Sequence, residues 1–399
     1  MDTSVVELSR FTQTSPAIRQ IHFRITNTSL IKHLISAPIR VVKTLITSAV
    51  MFQRRHIRTT ATLLALLGLL IIVGCTPSHP QSTFDAQGPV AQRQLDLFMV
   101  TFWVAAFIFV TVGIGLIYTV IRFRRKPGQG IPKQVHGSTK LEIGWTIVPI
   151  IILGALAIPT VMTEFYISEP PAGDQLTINV VAHQWWWEIE YPESGVITAN
   201  ELHVPVGTTI NVEMTSNDVI HSFWVPKLAG KMDIFPGKTT SLWFRADEVD
   251  EYFGQCAEFC GESHVWMKFR VLAEPISEFE AWQQKQLADA AKPTTPEETQ
   301  GASTFVAKGC IACHTISGVL GAAGVIGPNL THMGGRGTIA AGTMEMNQDN
   351  LREWLSEPNE VKPGNIMANS PMSLAYTNPN FALTAEDINN LVAFLHSLK

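Results

Sequence analysis

A chain of 399 residues with a net charge of −5 is long enough for two or three domains, and it has no basic stripe that would track phosphates, which excludes a nucleic-acid partner. Charged residues make up only 16% of it and the mean hydropathy is +0.15, so part of the chain is expected to lie in lipid. Its five cysteines, Cys75, Cys256, Cys260, Cys310 and Cys313, fall as one alone and two close pairs, which rules out a complete disulfide framework and points to metal or haem chemistry.

Residues 61–74, ATLLALLGLLIIVG, follow the basic QRRHIR and end on Cys75, the order of a secretory signal with a short apolar core. The IVGC ending resembles a bacterial lipobox, which makes Cys75 the expected site of lipidation and a membrane lipid an expected partner. The alternative is a short anchor helix with an incidental cysteine, but the apolar run is too short to span comfortably. Met51 begins a signal of ordinary length, so residues 51–74 are expected to be a lipoprotein-type signal peptide and residues 1–50 to lie outside the authentic product. A cellular peptide from residues 1–50 would overturn that start. Residues 75–94 are then an external N-terminal segment.

Two long apolar runs follow, 97–121 and 143–162, within expected transmembrane helices 95–122 and 141–163. Pro149 and Pro159 do not argue against the second, because membrane helices tolerate proline. The loop 123–140 continues from Arg122 with Arg124, Arg125, Lys126, Lys133 and Lys140 and no acid, so the positive-inside rule places it in the cytoplasm. Everything after residue 163 then faces outward from a bacterial inner membrane, on the side where a lipid on Cys75 would sit.

From 173 to 274 short alternating runs, including LTINVVA, TTINVEMTS and WMKFRVLAE, are separated by Gly and Pro, and they predict an antiparallel β-sandwich or barrel. Inside it, QCAEFCGESHVWM gathers Cys256, Cys260, His264 and Met267, and the upstream His221 in NDVIHSFWVP can reach the same place. These soft and borderline ligands suit copper better than calcium, magnesium or manganese. A Cys2His2 zinc site would leave Met267 unexplained, and a mononuclear blue-copper site would leave one cysteine over. Two coppers bridged by both thiolates use every residue.

C-x-E-x-C-G-x-x-H-x-x-M after H-S-F-W-V-P resembles the CuA centre of cytochrome c oxidase subunit II, and the resemblance runs from about residue 90 to 275. It implies a two-helix hairpin and a cupredoxin-like domain. It also implies that His221, Cys256, Cys260, His264 and Met267 are side-chain ligands, that Glu258 gives its backbone carbonyl, and that the Glu258 side chain helps hold magnesium against subunit I. AHQWWWEIEY resembles the family's aromatic patch, which puts Trp185 on the electron path; a strand buries only alternate residues, so three successive Trp cannot all be core of one sheet. Glu142 in LEIGWTIVP resembles a glutamate near the mouth of a proton pathway, although a helix-end glutamate at an interface is the plainer reading.

Residues 275–297 are polar and contain proline, as suits a linker with some helix, and 298–399 begin a new domain. C-x-x-C-H in GCIACHTI reads as haem c attachment: thioethers from Cys310 and Cys313, with His314 as the proximal ligand. A thioredoxin motif would need a βαβ context, which is absent, and a zinc ribbon would need another cysteine pair. The segment resembles an all-α class I cytochrome c, in which GPNL places Pro328 against the proximal histidine and TAEDINNLVAFLHSL is the last helix. Among Met333, Met344, Met346, Met367 and Met372, KPGNIM resembles the family's methionine loop, which makes Met367 the expected distal ligand and Met372 the runner-up; His332 is expected at the surface or beside a propionate.

The resemblances together imply subunit II of a haem-copper cytochrome c oxidase with a fused cytochrome c domain. Electrons would pass from an external donor, cytochrome c or a cytochrome bc complex, through haem c and dinuclear CuA to subunit I, where dioxygen is reduced with proton pumping. Subunits I and III are the implied partners. The rival readings are the corresponding chain of a nitric oxide or nitrous oxide reductase, a membrane-anchored copper-delivery protein, and a quinol oxidase subunit that has lost its copper ligands.

Overall fold

The computed structural model describes residues 51–55, 57–66, 68 and 79–399. The chain forms two compact units, residues 1–76 and 77–399, and in the first the described residues 51–55, 57–66 and 68 are helical. The lipobox cysteine Cys75, residues 1–50 and much of the expected signal lie outside the described residues.

The second unit opens with two helices, α1 (Pro89–Arg122) and α2 (Thr139–Ser168). Pro89 sits where a helix needs no N–H donor, after the extended Gly88. Both helices are apolar on every face, and none of their most apolar windows is buried within the chain. That pattern belongs to lipid or to neighbouring subunits rather than to a one-sided core. At 34 residues, α1 is about 50 Å long against a hydrocarbon core of about 30 Å, so its ends project. Hydropathy marks only the lipid-matched part, which is why α1 starts before residue 95 and α2 runs past 163.

The projecting ends pack on a β-sandwich. Val90 and Ala91 are buried, and a Cβ on Gly88 would come within 2.1 Å of the Arg245 carbonyl oxygen, so only glycine fits there. The Arg93 guanidinium lies 5.3 Å from the centre of the Tyr166 ring, which meets Trp243 edge-on. The preceding segment is tied down as well, by Asp85 to Lys227 at 2.6 Å.

One sheet runs β3-β2-β1-β5-β8, made of β1 (Gln175–His183), β2 (Trp186–Tyr191), β3 (Val196–Ala199), β5 (Thr209–Ser216) and β8 (Thr240–Phe244). The other runs β4-β10-β9-β6-β7, made of β4 (Glu201–Pro205), β6 (His221–Trp224), β7 (Met232–Ile234), β9 (Asp250–Cys256) and β10 (Lys268–Glu274). The expected sandwich is present, and within it two pairs, β1 with β5 and β4 with β10, run parallel because each pair is joined through the opposite sheet. Alternation gives the core: Ile178, Val180 and Ala182 from β1 meet Trp187, Phe223 and Phe269, whose rings lie 4.5 to 5.7 Å apart.

The expected linker is partly structured. Helix α3 (Ile276–Gln286) seals the sandwich with Phe279 and with Trp282, which stacks 4.1 Å from His203. Phe279 and Trp282 stand three apart on one helical face, which is how a polar stretch still docks. The last part of the chain is helical: α4 (Pro296–Ala307), α5 (Gln348–Ser356) and α6 (Ala385–Ser397), with short turns and one two-residue hairpin between them. Capping boxes at Thr295/Glu298 and Thr384/Asp387 start α4 and α6, and the two cross closely at Gly301, where a Cβ would lie 2.1 Å from the Asn390 carbonyl oxygen.

Candidate metal centre and haem cavity

Strand pairing brings the first site together. In the β6–β9 ladder Phe223 faces Cys256, and the Ala257 N–H donates to the Ser222 carbonyl, so His221 and Cys256 end neighbouring strands. The Cys256 N–H donates to the Met267 carbonyl at 2.9 Å, closing residues 256–267 into a loop with both ends on the sheet. Gly261 turns that loop at φ +119°, and a Cβ there would also press within 2.9 Å of the Trp185 ring.

The loop places six donor atoms at one point. The Cys256 and Cys260 sulfurs are 3.8 Å apart; His221 Nδ1 lies 3.8 Å from Cys256 Sγ, and His264 Nδ1 lies 3.5 Å from Cys260 Sγ. Met267 Sδ stands 3.8 Å from Cys260 Sγ, and the Glu258 carbonyl oxygen is 3.2 Å from Cys256 Sγ. His221, Cys256, Cys260 and Met267 are buried, while the Glu258 side chain is exposed. Every site residue expected from the loop therefore converges. The donor set fits copper: two sulfurs in contact, one imidazole nitrogen beside each, and a thioether that zinc would leave idle.

The electrostatics favour an added cation. Contact with Cys260 and the bond from His221 push the Cys256 thiol down to about 4, while the neighbouring sulfur and burial push Cys260 up. Only one of the pair ionises unaided, because two adjacent thiolates repel. A bound cation removes that limit.

Asp218 is a functional residue that motif reading missed. His221 Nε2 donates to its carboxylate at 2.8 Å, which fixes the ring with Nδ1 turned toward the sulfurs. Burial would depress the His221 pKa, but the bonds to Asp218 and Cys256 outweigh it and raise it. The same carboxylate accepts from the Gln184 N–H at 2.6 Å, so the histidine is tied to the Trp185 turn. An acid three residues before a candidate metal histidine was the available signal. Asp218→Ala is expected to lower copper affinity by about 10–100-fold, read by chelator competition.

The second site is a cavity lined by Cys310, Cys313, His314, Pro328, Met333, Arg336, Trp354 and Met367, among others. Cys310 opens a short turn after the left-handed Gly309 (φ +80°), and neither Cys310 nor Cys313 is in a disulfide. His314 Nδ1 donates to the Pro328 carbonyl at 2.9 Å, so its Nε2 lone pair is open, and burial lowers the pKa and keeps the ring neutral. A Cβ on Gly327 would meet that ring at 2.6 Å, which explains glycine before Pro328. These residues fit a haem held through two thioethers and an imidazole. Met367 is on the wall, whereas Met372 is 51% exposed. His332 is not at the surface: it is buried, and its Nε2 donates to the Ala288 carbonyl at 3.0 Å, because the linker folds back over it.

The two sites meet at Trp185. Trp185 and Trp186 line the haem cavity, while the Trp185 indole N–H donates to the Cys260 carbonyl at 3.0 Å. The three tryptophans have three environments: Trp187 is in the sandwich core, Trp186 packs with Ala199 and Ala341 of the last domain, and Trp185 is half-buried. Buried Glu201 fixes the junction by accepting from the Thr338 N–H (2.7 Å) and hydroxyl (2.8 Å). Glu142 lies exposed in the first turn of α2, where a carboxylate also complements the helix dipole.

Known families match along the chain. "Cytochrome C oxidase subunit II, transmembrane domain" covers residues 77–162, "Cytochrome C oxidase subunit II, periplasmic domain" 195–273, and "Cytochrome c" 299–399. A cytochrome c oxidase subunit 2 of Alkalihalophilus pseudofirmus is 38% identical over 336 residues, covering 83% of this chain and 94% of that protein. One from a Bacillus species is 39% identical over 358 residues, covering 84% and 97%. A quinol oxidase subunit 2 of Bacillus cereus is 35% identical over 240 residues, covering 59% and 82%. The chain belongs to the cytochrome c oxidase subunit II family and carries a cytochrome c domain at its C-terminal end.

Proposed function

We propose that Cys256 and Cys260 bridge two coppers, with His221, His264, Met267 and the Glu258 carbonyl completing the set, and that Cys310, Cys313, His314 and Met367 hold one haem c. The chain is the subunit through which electrons enter a haem-copper oxidase; dioxygen is reduced on another chain. When bound, haem and copper supply one-electron carriers. The protein fixes their ligands, excludes water from the sulfurs and keeps the two sites adjacent through Trp185, whose contact with both is the observation that carries this reading.

The finer assignments follow from position. The exposed Glu258 carboxylate is free to take part in a magnesium site against subunit I, and subunits I and III surround the apolar faces of α1 and α2. The basic loop 123–140 lies in the cytoplasm of a bacterium, the copper and haem domains lie on the outer face of its inner membrane, and Cys75 carries lipid. Glu142 then stands on the cytoplasmic side, at the level of a proton inlet. The external donor is a cytochrome c or a cytochrome bc complex.

Tethering makes transfer between the sites intramolecular, so its rate does not depend on encounter. The purified complex is expected to oxidise an artificial reductant without added cytochrome c, read as oxygen uptake. Metal counting and electron paramagnetic resonance should give two coppers sharing one unpaired electron beside one covalent haem. One copper or one zinc per chain would reject the assignment.

A further inference from the structure

The segment Lys362–Gly364 belongs to the cytochrome c domain, yet it grips the copper domain at three successive residues. Lys362 is 4% exposed, and its Nζ donates to the Trp185 carbonyl at 2.5 Å. The Pro363 carbonyl accepts from Ser263 Oγ, in the loop between Cys260 and His264. Gly364 adopts φ +75°, and a Cβ there would lie 2.5 Å from the Glu262 carboxylate, so the backbone approaches the loop as closely as glycine allows. Met367 follows three residues later on the wall of the haem cavity.

From the other side, the Gln184 side chain and the Trp185 indole both donate to the Cys260 carbonyl, at 2.7 and 3.0 Å. The Trp185 turn is thus held by Cys260 on one side and by Lys362 on the other. An ammonium in that place is costly: burial pulls its pKa down to about 7, and among the described residues no carboxylate lies within ion-pair distance of it. Packing alone would be served as well by methionine, which has similar reach and no desolvation cost. What lysine adds is a donor aimed at one carbonyl.

We propose that Lys362 is a positioning residue for electron passage between the two domains. Its bond to the Trp185 carbonyl holds Trp185 in the wall of the haem cavity while the indole N–H stays on Cys260. This rests on the assignment of copper to residues 256–267 and of haem to the cavity. The contact links a residue that shares the cavity wall with Met367 to a residue bonded to a copper cysteine. No other described contact joins the surroundings of both sites through a single side chain of the haem domain at Trp185.

The test uses the assembled oxidase carrying Lys362→Met or Lys362→Arg. Three readouts are needed: internal electron transfer after flash reduction, amide hydrogen exchange of residues 184–186, and the copper and haem spectra. Lys362→Met is expected to slow transfer by about tenfold and to raise exchange at 184–186 by a similar factor, since a bond from a charged donor is lost. Lys362→Arg, which keeps a donor, should restore both. Spectra showing both centres intact separate this outcome from a failed site assignment. Transfer at the parent rate in Lys362→Met overturns the proposal, as does slow transfer with exchange unchanged, which would make the effect one of charge alone. If Lys362→Met does not assemble, Lys362→Gln, too short to reach the carbonyl, is read by the same criteria.

Discussion

Cys260→Ser is expected to abolish the shared-copper resonance signal and to lower oxygen uptake by at least about 100-fold, a larger loss than that for an outer partner of a metal ligand. Cys260 sits at the centre of the site, within 3.8 Å of the Cys256 sulfur, the His264 imidazole and the Met267 thioether. A serine hydroxyl is nearly isosteric, yet it is a hard donor that stays protonated and does not bridge soft metals. The fold should survive, because the loop is closed by backbone bonds, notably from Cys256 N–H to the Met267 carbonyl. Burying a hydroxyl in place of the thiol costs about 1–3 kcal/mol. The haem spectrum should not change, since Cys310 packs against a core separate from that of the sandwich. A variant that kept two coppers and the delocalised signal would show that Cys260 is not a bridge.

What could be read from the sequence divides along physical lines. The copper loop was legible because Cys256, Cys260, His264 and Met267 lie within one turn-rich segment, where spacing limits geometry. His221 was legible as a strand end facing that loop. Strand β9, which carries Cys256, was harder to see: DEYFGQC opens with two acids and contains Gly254, whose missing side chain makes room for the Phe269 ring. Alternation breaks where packing needs a gap. The parallel pairings were hidden for another reason, since strand direction depends on which sheet each connection enters.

The junction was not legible at all. Lys362 and Glu201 have no local pattern that marks them as buried, and charged residues are rarely so. Both become visible only when two domains, each with its own periodicity, are placed together. Trp186 shows the same effect. A strand rule assigns it outward, and it is outward from the sandwich, but the surface it faces is Ala341 of the cytochrome c domain. The burial of His332 was missed for a related reason, because the carbonyl that binds it comes from a segment read as a linker with some helix.

The second large effect is expected at the haem. In His314→Ala the haem should remain attached through Cys310 and Cys313, but the six-coordinate low-spin spectrum should be lost and donor-linked oxygen uptake should fall by on the order of 100-fold. The argument rests on the ring's fixed state. Nδ1–H is committed to the Pro328 carbonyl, Gly327 packs on the ring edge, and only Nε2 is left for iron. The copper resonance should be unaffected, because the ligand loop is closed on its own sheet. The distal side separates two methionines by the same spectrum. Met367→Leu should remove the sulfur-to-iron absorption and lower the haem potential, since a thioether ligand favours the reduced form, whereas Met372→Leu should leave both unchanged. Loss of the band in the Met372 variant instead would mean that the loop carrying Met367 turns its other methionine inward. It would also weaken the geometric link from Lys362 to the haem, because that link depends on the short path from Lys362 to Met367.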